Sequence, residues 1–272
     1  MICYKRDMHT GCALVTGASY GLGEEYARQL AARGYDLLLT ARSADLLESV
    51  SASIQASHPG CDVRVLPLDL SERGAPQTLF DWAQQQGQPV SLLINNAGFG
   101  AIGEFDRLSL DRQRQMIDLN VSSLVELTHL FLVPMKARRH GAILNIASTA
   151  AFVPIAYFAV YGATKAFVLS FSNAVYEEAR AYGVHVMAVC PGPTATRFFE
   201  NAQSTTAFSS VRMQSSQAVV AESLRAMDHS RPWMIAGWIN RLSILVSGFL
   251  PRRLLMRVIA IAYRRMGNQK ST

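Results

Sequence analysis

A chain of 272 residues, half of them hydrophobic and 17% charged, can bury one sizeable core, which excludes a disordered or fibrous protein. Its net charge of +6 raises the question of nucleic acid, but eight of the 26 basic residues and none of the 20 acidic ones follow Asp228, leaving the first 228 residues with 18 positive charges against 20 negative. The basic character belongs to the tail, and no nucleic-acid partner is expected.

At the start, Met1 to Cys12 carries Lys5 and Arg6 with no apolar stretch behind them, so no secretory leader is expected and the protein is assigned to the cytosol. The four cysteines, Cys3, Cys12, Cys61 and Cys190, form no Cys-x-x-Cys pair, and Cys12 and Cys190 fall inside apolar runs. They are expected to be free thiols, two of them buried, and no metal site is predicted.

Along the chain, apolar runs at Ala13–Thr16, Asp36–Thr40, Val63–Pro67, Ser91–Ile94, Ala142–Ala147 and Val184–Val189 are each followed by a segment with helical spacing. Alternating strands and helices with right-handed crossovers build a Rossmann-type α/β fold, a doubly wound parallel sheet with helices on both faces. One domain, residues 1–272, accommodates the whole pattern. Ligands of such a sheet lie beyond the carboxyl ends of its strands, so functional residues are sought just after each one.

After the first strand comes Thr16-Gly17-Ala18-Ser19-Tyr20-Gly21-Leu22-Gly23, leading directly into the helical pattern Glu24–Arg33. Glycines allow a sharp turn and close approach to a pyrophosphate, and the helix start offers unpaired N–H groups and a positive dipole end. Between strand and helix, this spacing predicts a dinucleotide-binding turn made by Gly17, Ser19, Tyr20, Gly21, Leu22 and Gly23. After the second strand stands Thr40-Ala41-Arg42, where NAD-binding folds carry a carboxylate for the adenosine ribose. An arginine there suits a 2′-phosphate and predicts NADP(H), unless Arg42 is merely a solvated surface charge.

The fifth strand ends at Ala147-Ser148, and Tyr161-Gly162-Ala163-Thr164-Lys165 opens a long helical pattern reaching about Tyr182. Residues four apart share a helix face, so Tyr161 and Lys165 can enter the same crevice. A tyrosine titrates near about 10 in isolation, and a neighbouring ammonium favours its ionised form, bringing it towards the range useful for proton transfer to a carbonyl oxygen. Any single tyrosine is more often packing than acid. Tyr157, one turn earlier, has no lysine four residues on and reads as pocket wall.

In these motifs the chain resembles the short-chain dehydrogenase/reductase family over about residues 10 to 200. The resemblance extends to Asp69 with its neighbour Leu70, to Asn95-Asn96-Ala97-Gly98, to Asn120, and to Pro191-Gly192-Pro193-Thr194. It implies that Ser148 holds and polarises the substrate oxygen, that Tyr161 passes it a proton, and that Lys165 binds the nicotinamide ribose. It further implies that Asn120 holds a water completing a proton relay and that Asp69 contacts the adenine. Asn95 and Gly98 would border the adenosine ribose, while Gly192 and Thr194 fix the nicotinamide. Structural readings stand beside these: Asn95 and Asn96 tie strands together, Asn120 distorts its helix, and Pro191-Gly192-Pro193 is a rigid strand exit. A homo-oligomer is implied by the family.

After a short last strand, Pro232–Ala236, the tail continues with Trp238 to Leu250, then Pro251, then Arg252 to Met266. Its longest uncharged run, Leu242 to Leu250, is far below the roughly 20 residues of a spanning helix. Residues 239–266 read as a basic amphipathic extension of two helices broken at Pro251. Three uses are open: peripheral contact with the inner membrane surface, a cover for the substrate cleft, or a subunit interface.

The function expected is hydride transfer between NADP(H) and a small-molecule carbonyl or alcohol, with Ser148, Tyr161, Lys165 and Asn120 at the centre. Phe152, Val153, Tyr157, Phe158, Phe198, Phe199 and Phe208 suggest an apolar, lipid-like or steroid-like substrate. An epimerase or dehydratase shares the Tyr-x-x-x-Lys pair, but the closely spaced last two glycines and the modest length disfavour it. The alternative from another class is a catalytically silent NADP(H)-binding regulator or scaffold, which would be expected to lack one of the three central residues.

Overall fold

The computed structural model describes residues 11–196 and 213–267, with side chains as far as Ile261. Seven parallel strands lie in the order β3-β2-β1-β4-β5-β6-β7, with β1 Gly11–Thr16, β2 Tyr35–Ala41, β3 Val63–Pro67, β4 Val90–Asn95, β5 Gly141–Ile146, β6 Val184–Cys190 and β7 Trp233–Ile235. The order reverses between β1 and β4, which opens a crevice at their carboxyl ends. This is the predicted Rossmann-type sheet. Most strands run a residue or so beyond their apolar runs, because ladder hydrogen bonds are blind to side-chain polarity and carry β4 on to Asn95 against Asn145. The last strand shrinks instead: Pro232 has no N–H to give, though its carbonyl accepts from Ala188 at 3.0 Å.

Side-chain alternation along each strand divides the core into two layers. Ala13 and Val15 of β1, Leu37 and Leu39 of β2 and Met187 and Val189 of β6 meet Tyr26 and Leu30 of α1 (Gly21–Ala32), Leu47 and Ile54 of α2 (Ala44–Ser57) and further helical residues. Cys12 and Leu14, Leu38, and Val184 and Val186 face the other way, against Leu79 of α3 (Ala75–Gln84), Leu127 and Phe131 of α5 (Leu124–Ala137) and Val175 of α6 (Ala159–Arg180). Each such aliphatic side chain stabilises the fold by about 1.5–3 kcal/mol relative to exposure. Burial pushes the Cys12 and Cys190 thiols up to about 12, so both behave as small apolar groups.

α7 (Ser216–Asp228) covers the same face as α1, to which it is tied by the 2.6 Å hydrogen bond between Tyr26 Oη and Ser223 Oγ. A single helical stretch runs from α4 (Leu110–Ile117) through a π-helical turn, Asp118–Ser123, into α5. Spanning residues 110–137, it is long and apolar enough to cross a membrane, but Leu124, Leu127, Phe131 and Met135 are spent on the core. The tail forms α8 (Trp238–Phe249) and α9 (Arg252–Gly267), interrupted at Pro251 as its sequence predicts. Phe198, Phe199 and Phe208 lie outside the described residues.

Candidate active site

The turn after β1 is so tight that its glycines pack on one another. Gly17 has φ +65°, and a methyl on Gly23 would stand 2.1 Å from the Gly17 carbonyl oxygen, so a side chain there has no room. Asn96 clamps this turn from β4: its Nδ2 donates to the carbonyls of Thr16 at 2.9 Å and Gly17 at 3.1 Å. In return, Thr16 Oγ1 accepts from the backbone N–H groups of Asn96 and Ala97 at 3.0 and 2.9 Å. Tyr20, the residue preceding α1, supplies no side-chain cap, so the first-turn N–H groups are available to an anion.

This turn lines one end of a cleft of ≈ 380 Å³ through Gly17, Ser19, Tyr20, Gly21 and Leu22. Beside it stand Ala41, Arg42 and Ser43 after β2, Leu68, Asp69 and Leu70 after β3, and Asn96, Ala97, Gly98 and Phe99 after β4. Gly23 lines no part of it and acts through packing. Arg42 and Asp69 approach to 3.8 Å, with the Arg42 side chain 62% exposed. Asp69 Oδ1 also accepts from the Ser71 N–H and hydroxyl at 2.9 and 2.7 Å, which fixes the turn after β3.

At the other end, Ser148, Tyr161 and Lys165 meet on the cleft wall. Ser148 caps a short 3-10 turn, Thr149–Ala151, its Oγ accepting from the Ala150 N–H at 3.1 Å. The Tyr161 ring is held by stacking on Phe158, centroids 4.2 Å apart and planes at 19°. Lys165 Nζ lies 5.8 Å from the Tyr161 centroid and donates to the Ile146 carbonyl at 2.7 Å. Only 5% of Lys165 is exposed, and burial brings its ammonium down to about 8. Pro191, Gly192, Pro193 and Thr194 close the wall, and Thr194 Oγ1 donates to the Gly192 carbonyl at 2.9 Å.

Asn120 stands in the π-helical turn, as a residue expected to interrupt helix bonding. Its Oδ1 accepts from the Phe99 N–H at 3.1 Å, and its Nδ2 donates to the Phe99 carbonyl at 3.0 Å and to Thr164 Oγ1 at 3.1 Å. A methyl on Gly98 would lie 2.9 Å from Asn120 Oδ1 and 3.5 Å from Lys165 Nζ, so the missing side chain leaves a gap bordered by both groups.

Two expectations are corrected. Asn95 does not reach the cleft: its Nδ2 donates to Asn145 Oδ1 at 2.9 Å and Thr128 Oγ1 at 3.2 Å, and Asn145 Nδ2 in turn donates to Ser172 Oγ at 2.9 Å. Strand alternation aims Asn95 into the helix layer, where this buried polar ladder ties β4 and β5 to α5 and α6. Of the aromatic wall, Phe158 lines the cleft, but Phe152 packs towards Trp233 at 6.0 Å between centroids, and Val153 and Tyr157 do not line it. Phe99, Leu119 and Ile155 supply apolar lining instead, and Arg112, its guanidinium 4.4 Å from the Phe99 centroid, brings a positive charge. Arg112 and Leu119 come from the helix after β4, where no sequence motif marks them.

The short chain dehydrogenase family model matches residues 11–207. The very-long-chain 3-oxoacyl-CoA reductase of Homo sapiens is 34% identical over 193 residues, which is 68% of this chain and 60% of that protein, so less than two thirds of its length is matched. The 17-beta-hydroxysteroid dehydrogenase type 3 of Mus musculus is 30% identical over 267 residues, 94% of this chain and 85% of that one. Among solved structures, a short-chain dehydrogenase from Sphingobium yanoikuyae in complex with NADPH superposes with a TM-score of 0.80 at 29% identity, covering 91% of this chain and 95% of that one.

Proposed function

Because the chain belongs to the short-chain dehydrogenase family, we propose that it is an NADP(H)-dependent oxidoreductase interconverting a carbonyl and an alcohol. The observation that carries this reading is the convergence of Ser148, Tyr161 and Lys165 on the cleft that also takes in the glycine turn. A silent scaffold would not need all three.

The residues fit a dinucleotide. Gly17 and Gly23 of the turn have no room for a side chain, α1 offers an uncapped N-terminus, and Arg42 stands at the end of β2 where a 2′-phosphate would be gripped. The NADPH in the solved relative supports the same choice. Asp69 and Leu70 would border the adenine, Ala97 and Gly98 the adenosine ribose, and Gly192 and Thr194 the nicotinamide. When bound, the cofactor supplies or accepts the hydride.

The chain's own groups manage the proton. The Ser148 hydroxyl, anchored on its turn, donates to the substrate oxygen and polarises the carbonyl. Tyr161, stacked on Phe158, delivers a proton to that oxygen in reduction and removes it in oxidation. The Lys165 ammonium favours the tyrosinate and serves the ribose hydroxyls. Asn120 is a positioning residue: it locks Phe99 and Thr164, and the gap over Gly98 suits a water joining Lys165 to solvent.

Phe99, Leu119, Ile155 and Phe158 favour an apolar substrate, in keeping with relatives named for very-long-chain acyl and hydroxysteroid chemistry. We assign the protein to the cytosolic side as a homo-oligomer, on the buried free thiols and the family likeness. The test is direct: the protein is mixed with NADPH and a panel of aliphatic, aromatic and steroid ketones while nicotinamide absorbance is followed. Oxidation of NADPH with an apolar ketone supports the assignment, and none with any carbonyl refutes it.

A further inference from the structure

α8 turns its apolar side outward. Trp238, Leu242, Leu245 and Phe249 recur at intervals of four, three and four and are 71%, 51%, 61% and 82% exposed, whereas the half-buried Asn240, Ile244 and Ser247 on the opposite face meet the body of the protein. α9 repeats the arrangement. Leu254, Val258 and Ile261 form an exposed stripe, Leu255 and Ile259 are half-buried, and Arg253 and Arg257, one turn apart, flank the stripe. A soluble surface rarely leaves the apolar stripes of two helices in water.

The charge around the face identifies what covers it. Between His229 and Thr272 there are eight basic residues and no acidic one. An isologous contact between two copies would bring these arginines against their own symmetry mates with no carboxylate in the segment to neutralise them. Arg241 is already paired with Glu222 at 3.0 Å, whereas the exposed Arg252, Arg253 and Arg257 of α9 are matched by an anionic lipid surface, which also takes the apolar stripe into its acyl boundary. Below α8, an open groove of ≈ 870 Å³ between α7, β7 and α8 is lined by Arg225, Arg231 and Arg241 beside Glu222, and by Trp233 and Trp238.

We propose that α8 and α9 are a docking surface for an anionic bilayer, lying in its plane with the two apolar stripes immersed and the arginines at the headgroups. At 12 and 16 residues, the helices are too short to span, since spanning takes about 20. The docking is independent of the reaction, but its position bears on it: α8 starts at the carboxyl end of β7, the edge where the cleft opens. Asn240 of its first turn packs so tightly on Gly192 that a methyl on that glycine would stand 2.4 Å from Asn240 Nδ2. The bilayer therefore meets the outer side of α8, whose inner side rests on the cleft wall at Gly192.

The test uses the full chain, sedimented with vesicles of phosphatidylglycerol and phosphatidylcholine or of phosphatidylcholine alone, at low and high salt. Binding confined to the anionic vesicles and weakened by salt is expected, because screening acts over about 10 Å at 0.1 M. Arg253→Ala and Arg257→Ala should each lower vesicle affinity about fivefold, and Leu245→Ser with Phe249→Ser should abolish it, with NADPH titration unchanged in all of them. These side chains are exposed, so the substitutions leave the core intact. Unmodified protein that stays in the supernatant with anionic vesicles at low salt overturns the proposal. So does a stripe variant whose assembly mass falls in sedimentation velocity while wild type ignores vesicles, which would make the face a contact between copies.

Discussion

Lys165 reaches back under the cleft and gives a proton donor to the carbonyl of Ile146, 2.7 Å away at the end of β5. The contact satisfies the ammonium but does not restore its lost hydration, and burial leaves it titrating at about 8 instead of 10.5. Below about 8 the group is charged and able to favour the Tyr161 phenolate; as pH rises through that value the charge disappears. kcat/KM for ketone reduction is therefore expected to fall above about pH 8. A profile flat to pH 10 would show that the Lys165 charge is not needed.

Tyr161→Phe keeps the ring that stacks on Phe158 and removes only the hydroxyl. Turnover should fall by about two orders of magnitude or more, the range for losing a positioned general acid, while NADPH binding, followed by fluorescence titration, changes little. Near-normal turnover would reject Tyr161 as the donor.

Much of this site was legible because its chemistry is local in sequence. The glycine turn, the Tyr161/Lys165 spacing and the break at Pro251 depend on neighbours within a few residues, and the doubly wound sheet followed from alternation with right-handed crossovers. What could not be read depends on pairing between distant segments. Asn95 looked like a ribose contact until register set it against Asn145, 50 residues away. Phe152 looked like cleft wall until β7 brought Trp233 against it. The contact of Asn240 with Gly192 joins a tail helix to a strand exit, and neither partner carries a motif for it. Arg112 was invisible for a similar reason: its place over Phe99 brings α4 against the loop after β4, and neither residue carries a motif for that contact.

Arg42 should separate the two cofactors. Its side chain is largely exposed and makes only a loose 3.8 Å approach to Asp69, a contact of the kind worth about 0–1 kcal/mol, so removing it costs the fold little. A 2′-phosphate would gain charge-assisted hydrogen bonds from it worth about 1.5–3 kcal/mol, with the lower end favoured by its exposure. Arg42→Ala is expected to raise the Kd for NADPH by about tenfold or more and to leave that for NADH nearly unchanged. Equal losses for both cofactors would mean that Arg42 acts through the turn rather than on the phosphate.

Gly23 tests whether the turn itself, and not merely its flexibility, makes the cofactor site. An alanine there would set its methyl 2.1 Å from the Gly17 carbonyl oxygen, 2.7 Å from the Gly17 carbonyl carbon and 2.6 Å from Asn96 Nδ2. Two of these atoms are backbone, so relief requires α1 to retreat from β1 or the turn to open. Either movement strains the hydrogen bonds from Asn96 to Thr16 and Gly17 and misaligns the α1 N-terminus. Overpacking of this kind costs about 1–3 kcal/mol. Gly23→Ala should therefore lower the urea midpoint and weaken NADPH and NADH together, unlike the Arg42 substitution. Gly60→Ala supplies the control, since nothing lies within 4 Å of its added methyl and its φ is not in the left-handed region. That variant should unfold at or slightly above the wild-type midpoint, through reduced freedom of the unfolded chain. If Gly23→Ala matches Gly60→Ala in both stability and cofactor affinity, the close packing of Gly17 on Gly23 is not what shapes the site.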